Sequence, residues 1–234
     1  MGNIRLFFKE SLTINSISKL DKSQSHYIFN VMRINVGQSF SLFNEGGEWE
    51  AKVIEIEKGT VKFAIIKKLR PSEKIRELWL AFTPIKINYL NFMIQKATEL
   101  GVTKFIPILT ERTVVRDINK NRINKIIIEA AEQSNRIIVP TLEKLMNFDK
   151  FLKIYQDTNI IFGDLNSKNY KVNISYKKPI CILIGPEGDL SEKERQKILR
   201  LKNISALNVN KNILRTETAA ISLISIVNFF GLSQ

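Results

Sequence analysis

The sequence predicts an α/β protein in which a small β-rich module precedes a larger domain built on a mostly parallel sheet. Three observations carry this. Between residues 38 and 69 apolar residues alternate with charged ones and are broken by glycine-bearing turns, the period of half-buried antiparallel strands. From Glu77 onward apolar runs alternate with helical stretches of about ten residues or more, the pattern of strands joined by crossover helices. The period changes around Arg70-Pro71-Ser72-Glu73, so the expected domains are residues 1–72 and 73–234.

In chain order, Arg5 to Phe8 is a first strand. Asp21, with Gln24 three residues later, has the form of a helix cap for a short helix carrying His26, Tyr27, Phe29, Asn30, Met32 and Arg33. Strands over Ser39 to Phe43, Trp49 to Glu57 and Val61 to Leu69, with turns at Glu45-Gly46-Gly47 and Lys58-Gly59, complete a small β-barrel. Leu78 to Thr83 opens the second region as a buried strand. Asn88 is the expected cap of a helix that places Leu90, Met93, Ile94, Ala97 and Leu100 on one face and stops at Gly101. A strand over Lys104 to Leu109 and a helix over Asn121 to Ser134 repeat the unit. Ile160 to Gly163, Ile180 to Ile184 and Ala206 to Val209 read as further interior strands.

Composition narrows the chemistry. With 44% hydrophobic and 25% charged residues the chain can bury a core. Its 36 Lys and Arg against 23 Asp and Glu leave a net charge of +13, a field that attracts polyanions, nucleic acid first. Cys181, the one cysteine, lies in an apolar run as a buried thiol, so no disulfide forms within the chain. With His26 the one histidine, neither a zinc site nor a Cys-His or Ser-His nucleophile is expected, and no metal. The N-terminus lacks a signal-peptide stretch. The apolar run Ile221 to Phe230 is interrupted by Asn228 and falls short of the roughly 20 residues of a membrane span. A cytoplasmic protein without a membrane partner is expected.

Two strand exits carry the chemistry. In Leu183-Ile184-Gly185-Pro186-Glu187-Gly188-Asp189-Leu190-Ser191 an apolar strand runs into a glycine-bearing loop, and Ser191 with Glu194 then forms a capping box. Glycines there let a ligand approach the main chain, although an ordinary strand-to-helix turn has the same spacing. Neither a Walker lysine nor a complete Gly-x-Gly-x-x-Gly pattern is present, which disfavours phosphate binding. In Asn212-Ile213-Leu214-Arg215-Thr216-Glu217-Thr218-Ala219-Ala220 a second exit enters a helix that Thr216 or Thr218 can cap.

Together these segments resemble the bacterial 16S ribosomal RNA (uracil-N3) methyltransferases of the SPOUT class. The resemblance rests on Gly185-Pro186-Glu187-Gly188 with Leu190-Ser191-x-x-Glu194, and on Leu214-Arg215-Thr216-Glu217-Thr218-Ala219 some 25 residues on. Lys96 to Val102, Thr110-Glu111-Arg112, Ala130 to Ser134 and Val139-Pro140 agree with it. Arg5-Leu6-Phe7, His26 with Val31-Met32-Arg33, and Glu45 to Trp49 resemble that family's PUA-like RNA-binding domain. One position departs: the family usually has glycine where Asp189 stands.

The resemblance implies a C-terminal SPOUT domain with a deep trefoil knot, an exception to the rule that chains avoid knots. It implies S-adenosyl-L-methionine as cofactor, held bent by three loops through Phe162, Gly163, Leu183, Ile184, Gly185, Pro186, Gly188, Leu207, Leu214, Thr216 and Ala219. It also implies a homodimer with the site at the subunit interface, and as substrate N3 of a uridine in 16S rRNA of the small ribosomal subunit, position 1498 in the family's rRNA numbering. N3 is mostly protonated at neutral pH, so a base or a cation that stabilises the uridine anion is needed. Arg215 and Glu217 are the catalytic candidates, with Glu217 handicapped as a base because a helix N-terminus stabilises its ionised form. Arg5, His26, Arg33, Arg112, Arg116 and Arg136 are the candidate RNA contacts, since guanidinium groups fork onto phosphate and stack on bases. Trp49 also fits RNA contact, although for it, as for His26, a partly buried structural role fits better. Two alternatives stand beside this reading: an RNA-binding or ribosome-assembly factor without catalysis, and a SPOUT methyltransferase acting on another RNA.

Overall fold

The computed structural model describes residues 4–169 and 178–232. The first two N-terminal strands are β1 (Arg5–Phe7) and β2 (Ile17–Lys19). Helix α1 (Lys22–His26) follows, capped by the Asp21 carboxylate accepting from the Gln24 N–H at 2.8 Å. The helix then widens into a π-helical turn over Tyr27–Val31, in which the Met32 N–H reaches back five residues to the Tyr27 carbonyl. Buried Ser25 ties α1 to the sheet: its hydroxyl donates to the Leu20 carbonyl and accepts from the Val61 N–H. Strands β3 (Ser39–Asn44), β4 (Gly47–Glu57) and β5 (Thr60–Pro71) complete a five-stranded sheet in the order β1-β3-β4-β5-β2. The β1–β3 pairing is parallel, unlike the antiparallel sheet expected for this module, while β3–β4 and β4–β5 are antiparallel. Leu6, Phe40, Leu42, Trp49, Val53 and Phe63 fill its core. Gly47 sits at φ +133, and a Cβ there would strike the Arg70 carbonyl, so glycine is required at that turn.

The second region carries β6 (Leu78–Phe82), α2 (Ile87–Glu99), β7 (Lys104–Leu109), α3 (Lys120–Gln133), β8 (Thr141–Leu142), β9 (Met146–Asn147) and α4 (Phe148–Tyr155). It continues with β10 (Asn159–Gly163), β11 (Ile180–Ile184), α5 (Glu192–Leu199), β12 (Ile204–Leu207) and α6 (Thr216–Leu232). The strands form a seven-stranded sheet in the order β12-β10-β11-β6-β7-β8, with β9 also on β7, and every pairing is parallel. β11 thus returns between β10 and β6, both earlier in sequence. Such strands are covered on both faces, so they read as unbroken apolar runs, and Ile180 to Leu183 are fully buried.

Helix boundaries differ from the sequence expectation in instructive ways. α2 starts at Ile87 behind Lys86, whose main chain takes the cap conformation without a side-chain cap, so Asn88 lies inside the first turn. α6 begins at Thr216 with the Ala219 N–H donating to the Arg215 carbonyl, so Arg215 holds the position that Thr216 or Thr218 was expected to fill. β12 ends at Leu207 and leaves Asn208 and Val209 as loop.

Contacts divide the chain into two units. One holds residues 1–74 with 131–139, the other 75–130 with 140–234. The 131–139 segment joins the first unit through polar side chains. Arg5 donates to the carbonyls of Glu132 and Arg136, both at 2.9 Å, Arg70 donates to the Asn135 carbonyl at 3.0 Å, and the Phe7 N–H donates to the Glu132 carboxylate. Buried Glu48 accepts from Arg5 and Arg70 together and organises the cluster.

Cys181 is fully buried on β11, and burial pushes its thiol up to about 12. Native protein at pH 8 is therefore expected to resist alkylation by iodoacetamide, with mass spectrometry finding one adduct only after denaturation. Among the described residues no helix is long and apolar enough to cross a membrane.

Candidate functional site

The parallel register aligns three strand ends. Phe162 pairs with Leu183 and Gly163 with Leu207, so β10, β11 and β12 stop at one edge of the sheet. Ligands of open α/β sheets gather at the carboxyl ends of strands, where loops expose main-chain groups. A cavity of about 240 Å³ lies there. Three loops wall it: 163–165 after β10, 184–187 with Asp189 after β11, and 207–216 after β12, with Ala219 from α6.

Of the residues expected to hold a cofactor, Gly163, Ile184, Gly185, Pro186, Leu207, Leu214, Thr216 and Ala219 line this cavity, and so does Arg215. Phe162 and Leu183 do not; both are fully buried one residue below the strand ends and support the floor. Gly188 also stands off the wall, and its carbonyl accepts from the Arg112 guanidinium at 2.9 Å. Asp164, Asn208, Asn210 and Ile213, not singled out one by one from the sequence, also line the cavity; Asp164 directly follows β10, and the other three lie between β12 and α6.

Asp189 explains its own departure from the usual glycine. Its φ is +59, the left-handed conformation in which glycine is strain-free. Aspartate holds it by a local bond: Oδ1 accepts from the Leu190 N–H at 2.7 Å, while the Asp189 N–H donates to the Pro186 carbonyl. The turn is kept, and a carboxylate is added to the cavity wall.

Arg215 is exposed, and its guanidinium lies 5.2 Å over the Tyr89 ring. Among the described residues that ring is its only side-chain partner, so its N–H donors remain available to an anion beside the cavity. Glu217 is buried in the first turn of α6 and is not among the residues that line the cavity. The candidate RNA contacts divide similarly. Arg5 is a correction: its side chain is 7% exposed, its donors are taken by Glu48 and main-chain carbonyls, and it lies over the Phe43 ring. Trp49 belongs to the N-terminal core, the structural role that its size favours. Arg136 is half-buried, and burial pulls its guanidinium down to about 10, still charged at neutral pH. His26, Arg33, Arg112 and Arg116 are exposed; His26 meets Asn30 through Nδ1, and Arg33 adopts φ +57.

Comparison with known proteins agrees with this geometry. Residues 71–228 match a family model described as an RNA methyltransferase domain, and residues 20–66 match an RNA methyltransferase PUA domain. Ribosomal RNA small subunit methyltransferase E of Rickettsia conorii is 33% identical over 97% of this chain and 96% of its own length. This chain belongs to the ribosomal RNA small subunit methyltransferase E family. The methyltransferase E of Aquifex aeolicus is 28% identical over 97% of the chain and all of its own length. The crystal structure of methyltransferase E from Neisseria gonorrhoeae bound to S-adenosyl methionine superposes with a TM-score of 0.89 at 26% identity, covering 97% of this chain and 98% of that one. The methyltransferase E fold is therefore what the mostly parallel sheet and the N-terminal PUA-like module build here.

Proposed function

We propose that this chain transfers a methyl group from S-adenosyl-L-methionine to N3 of a uridine in 16S rRNA of the small ribosomal subunit, position 1498 in the family's rRNA numbering. The observation that carries the reading is a cavity at three aligned strand ends with Arg215 in its wall, its guanidinium without a hydrogen-bond partner among the described residues.

The residues present fit the cofactor. Apolar side chains of Ile184, Leu207, Ile213 and Leu214 give adenine a surface to lie on, and main-chain groups of three loops offer hydrogen bonds. The carboxylates of Glu187 and Asp189 complement a cation. S-adenosyl-L-methionine, when bound, supplies an electrophilic methyl on its sulfonium. With the cofactor in place, the three loops would bring the acceptor nitrogen to the methyl and so turn a bimolecular encounter into a positioned one. Arg215 pairs with the uridine as N3 loses its proton to solvent, and so favours the anion whose lone pair attacks.

Residues 1–72, completed by 131–139, form the RNA-binding part of this reading, and residues 73–234 the methyltransferase part. His26, Arg33, Arg112, Arg116 and Arg136 contribute cationic contacts to the RNA. The C-terminal part is knotted as the family resemblance implies, and the return of β11 between β10 and β6 supports that topology. A homodimer in the cytoplasm is part of the same reading, supported by Phe229 and Phe230 exposed near the end of α6. Isothermal titration with S-adenosylmethionine tests the cofactor, and mass mapping of rRNA from cells lacking the protein tests the target. Absence of cofactor heat, or an unchanged uridine methyl, would remove the reading.

A further inference from the structure

We propose that Arg195, in the first turn of α5, is a positioning residue that sets the spacing between two walls of the cavity through a buried ion pair with Asp164. The proposal rests on the reading of that cavity as the cofactor site. α5 begins directly after the 185–190 loop, and its capping box ties the loop's last residues to the helix. Whatever is tethered to this end of α5 is thereby tethered to that loop.

Two adjacent side chains make tethers in different directions. The Glu194 carboxylate accepts from the Ser191 N–H and hydroxyl through Oε2, and from the Glu111 N–H, 83 residues distant, through Oε1 at 2.9 Å. Arg195 forks onto Asp164, with Nε 3.2 Å from both carboxylate oxygens and Nη2 2.9 Å from Oδ2. Asp164 lines the cavity, yet its side chain is 1% exposed.

The wall that Asp164 anchors behaves as one piece. The Asp164 N–H donates to the Leu207 carbonyl, and the Asn208 N–H to the Asn169 carbonyl. Asn208 Nδ2 donates to the Leu165 carbonyl, and Ser167 Oγ to the Ala206 carbonyl. Moving Asp164 therefore moves the loops after β10 and β12 together. Removing the guanidinium leaves a carboxylate this buried without its compensating charge, which is costly enough to move it toward water and shift the wall. The forked geometry fixes distance and angle together, which a single-point lysine contact does not.

The test uses the whole protein and titrates both S-adenosylmethionine and S-adenosylhomocysteine. Arg195→Met is expected to weaken both ligands by the same factor, about 10- to 100-fold, while kcat at saturating cofactor stays within a few-fold of wild type. Arg195→Lys should restore part of the loss. Asp164→Asn should weaken binding similarly, and the Asp164→Asn/Arg195→Met double variant should bind no worse than the weaker single variant. Lys197→Ala, which removes a surface ion pair with Asp149 on the same helix, is the control and should bind as wild type does. Wild-type affinity in a folded Arg195→Met protein overturns the proposal. So does selective loss of the cationic ligand, because that would make Asp164 a charge partner of the sulfonium and not a wall anchor. If Arg195→Met does not fold, Arg195→Lys and Asp164→Asn decide by the same criteria. Failure of the wild type itself to bind S-adenosylmethionine would instead sink the proposed function.

Discussion

Replacing Arg215 with alanine should lower the rate of methyl transfer by about 10²- to 10³-fold, the usual cost of deleting one preorganised donor aimed at developing negative charge. The guanidinium lies against the Tyr89 ring in the cavity wall, without a hydrogen-bond partner among the described residues, so its donors need not be freed before they meet the uridine. Cofactor affinity should change far less, because the loss falls on charge that forms during the reaction. Arg215→Lys should recover only a minor share, since an ammonium neither stacks on the ring in the same way nor forks. Single-turnover kinetics with saturating cofactor measure the effect. A rate within threefold of wild type in the alanine variant would exclude Arg215 from the chemistry.

The largest effect on stability is expected at Glu48. Its carboxylate is buried and meets Arg5 at 3.1 Å and Arg70 at 2.6 Å. Burial alone would raise its pKa, but the hydrogen bonds from the two arginines outweigh burial and hold it below the ordinary 4.5. Glu48→Ala strands the buried Arg5 guanidinium and should cost about 3–5 kcal/mol in urea unfolding. The pH dependence has a definite sign. A carboxylate with a depressed folded pKa contributes stability that is complete above about 4.5 and fades as pH falls toward the folded value. Glu48→Gln should therefore flatten the acid limb of the stability profile below pH 4.5, and an unchanged acid limb would show that Glu48 carries no such linkage.

Much of the site was legible because its signals are local. A strand that ends in glycine and proline before a capped helix fits a ligand-facing loop and an ordinary turn alike; the family resemblance favoured the loop, and Gly185, Pro186 and Leu214 line the cavity. Asp164 was not legible, since its meaning depends on Arg195, 31 residues away. Arg5 misled for the same reason. Beside an exposed loop it would suit RNA, and only the carbonyls of residues 132 and 136 turn it inward. The apolar runs of β10 and β11 announced buried parallel strands. The parallel β1–β3 pair carried no such mark, because alternation is the same for either strand direction. Trp49 fitted either role from the sequence, and the hairpin places it in the core cluster with Leu42, Val53 and Phe63.

The return of residues 131–139 to the first unit also bears on synthesis. A nascent chain that has just delivered Arg70 must wait 65 more residues for the Asn135 carbonyl, and Arg5 waits 131 for that of Arg136. At about 5–20 residues per second the first delay is roughly 3–13 s. Throughout it the leading portion is on the ribosome with its polar cluster half assembled, so this segment cannot mature strictly from front to back.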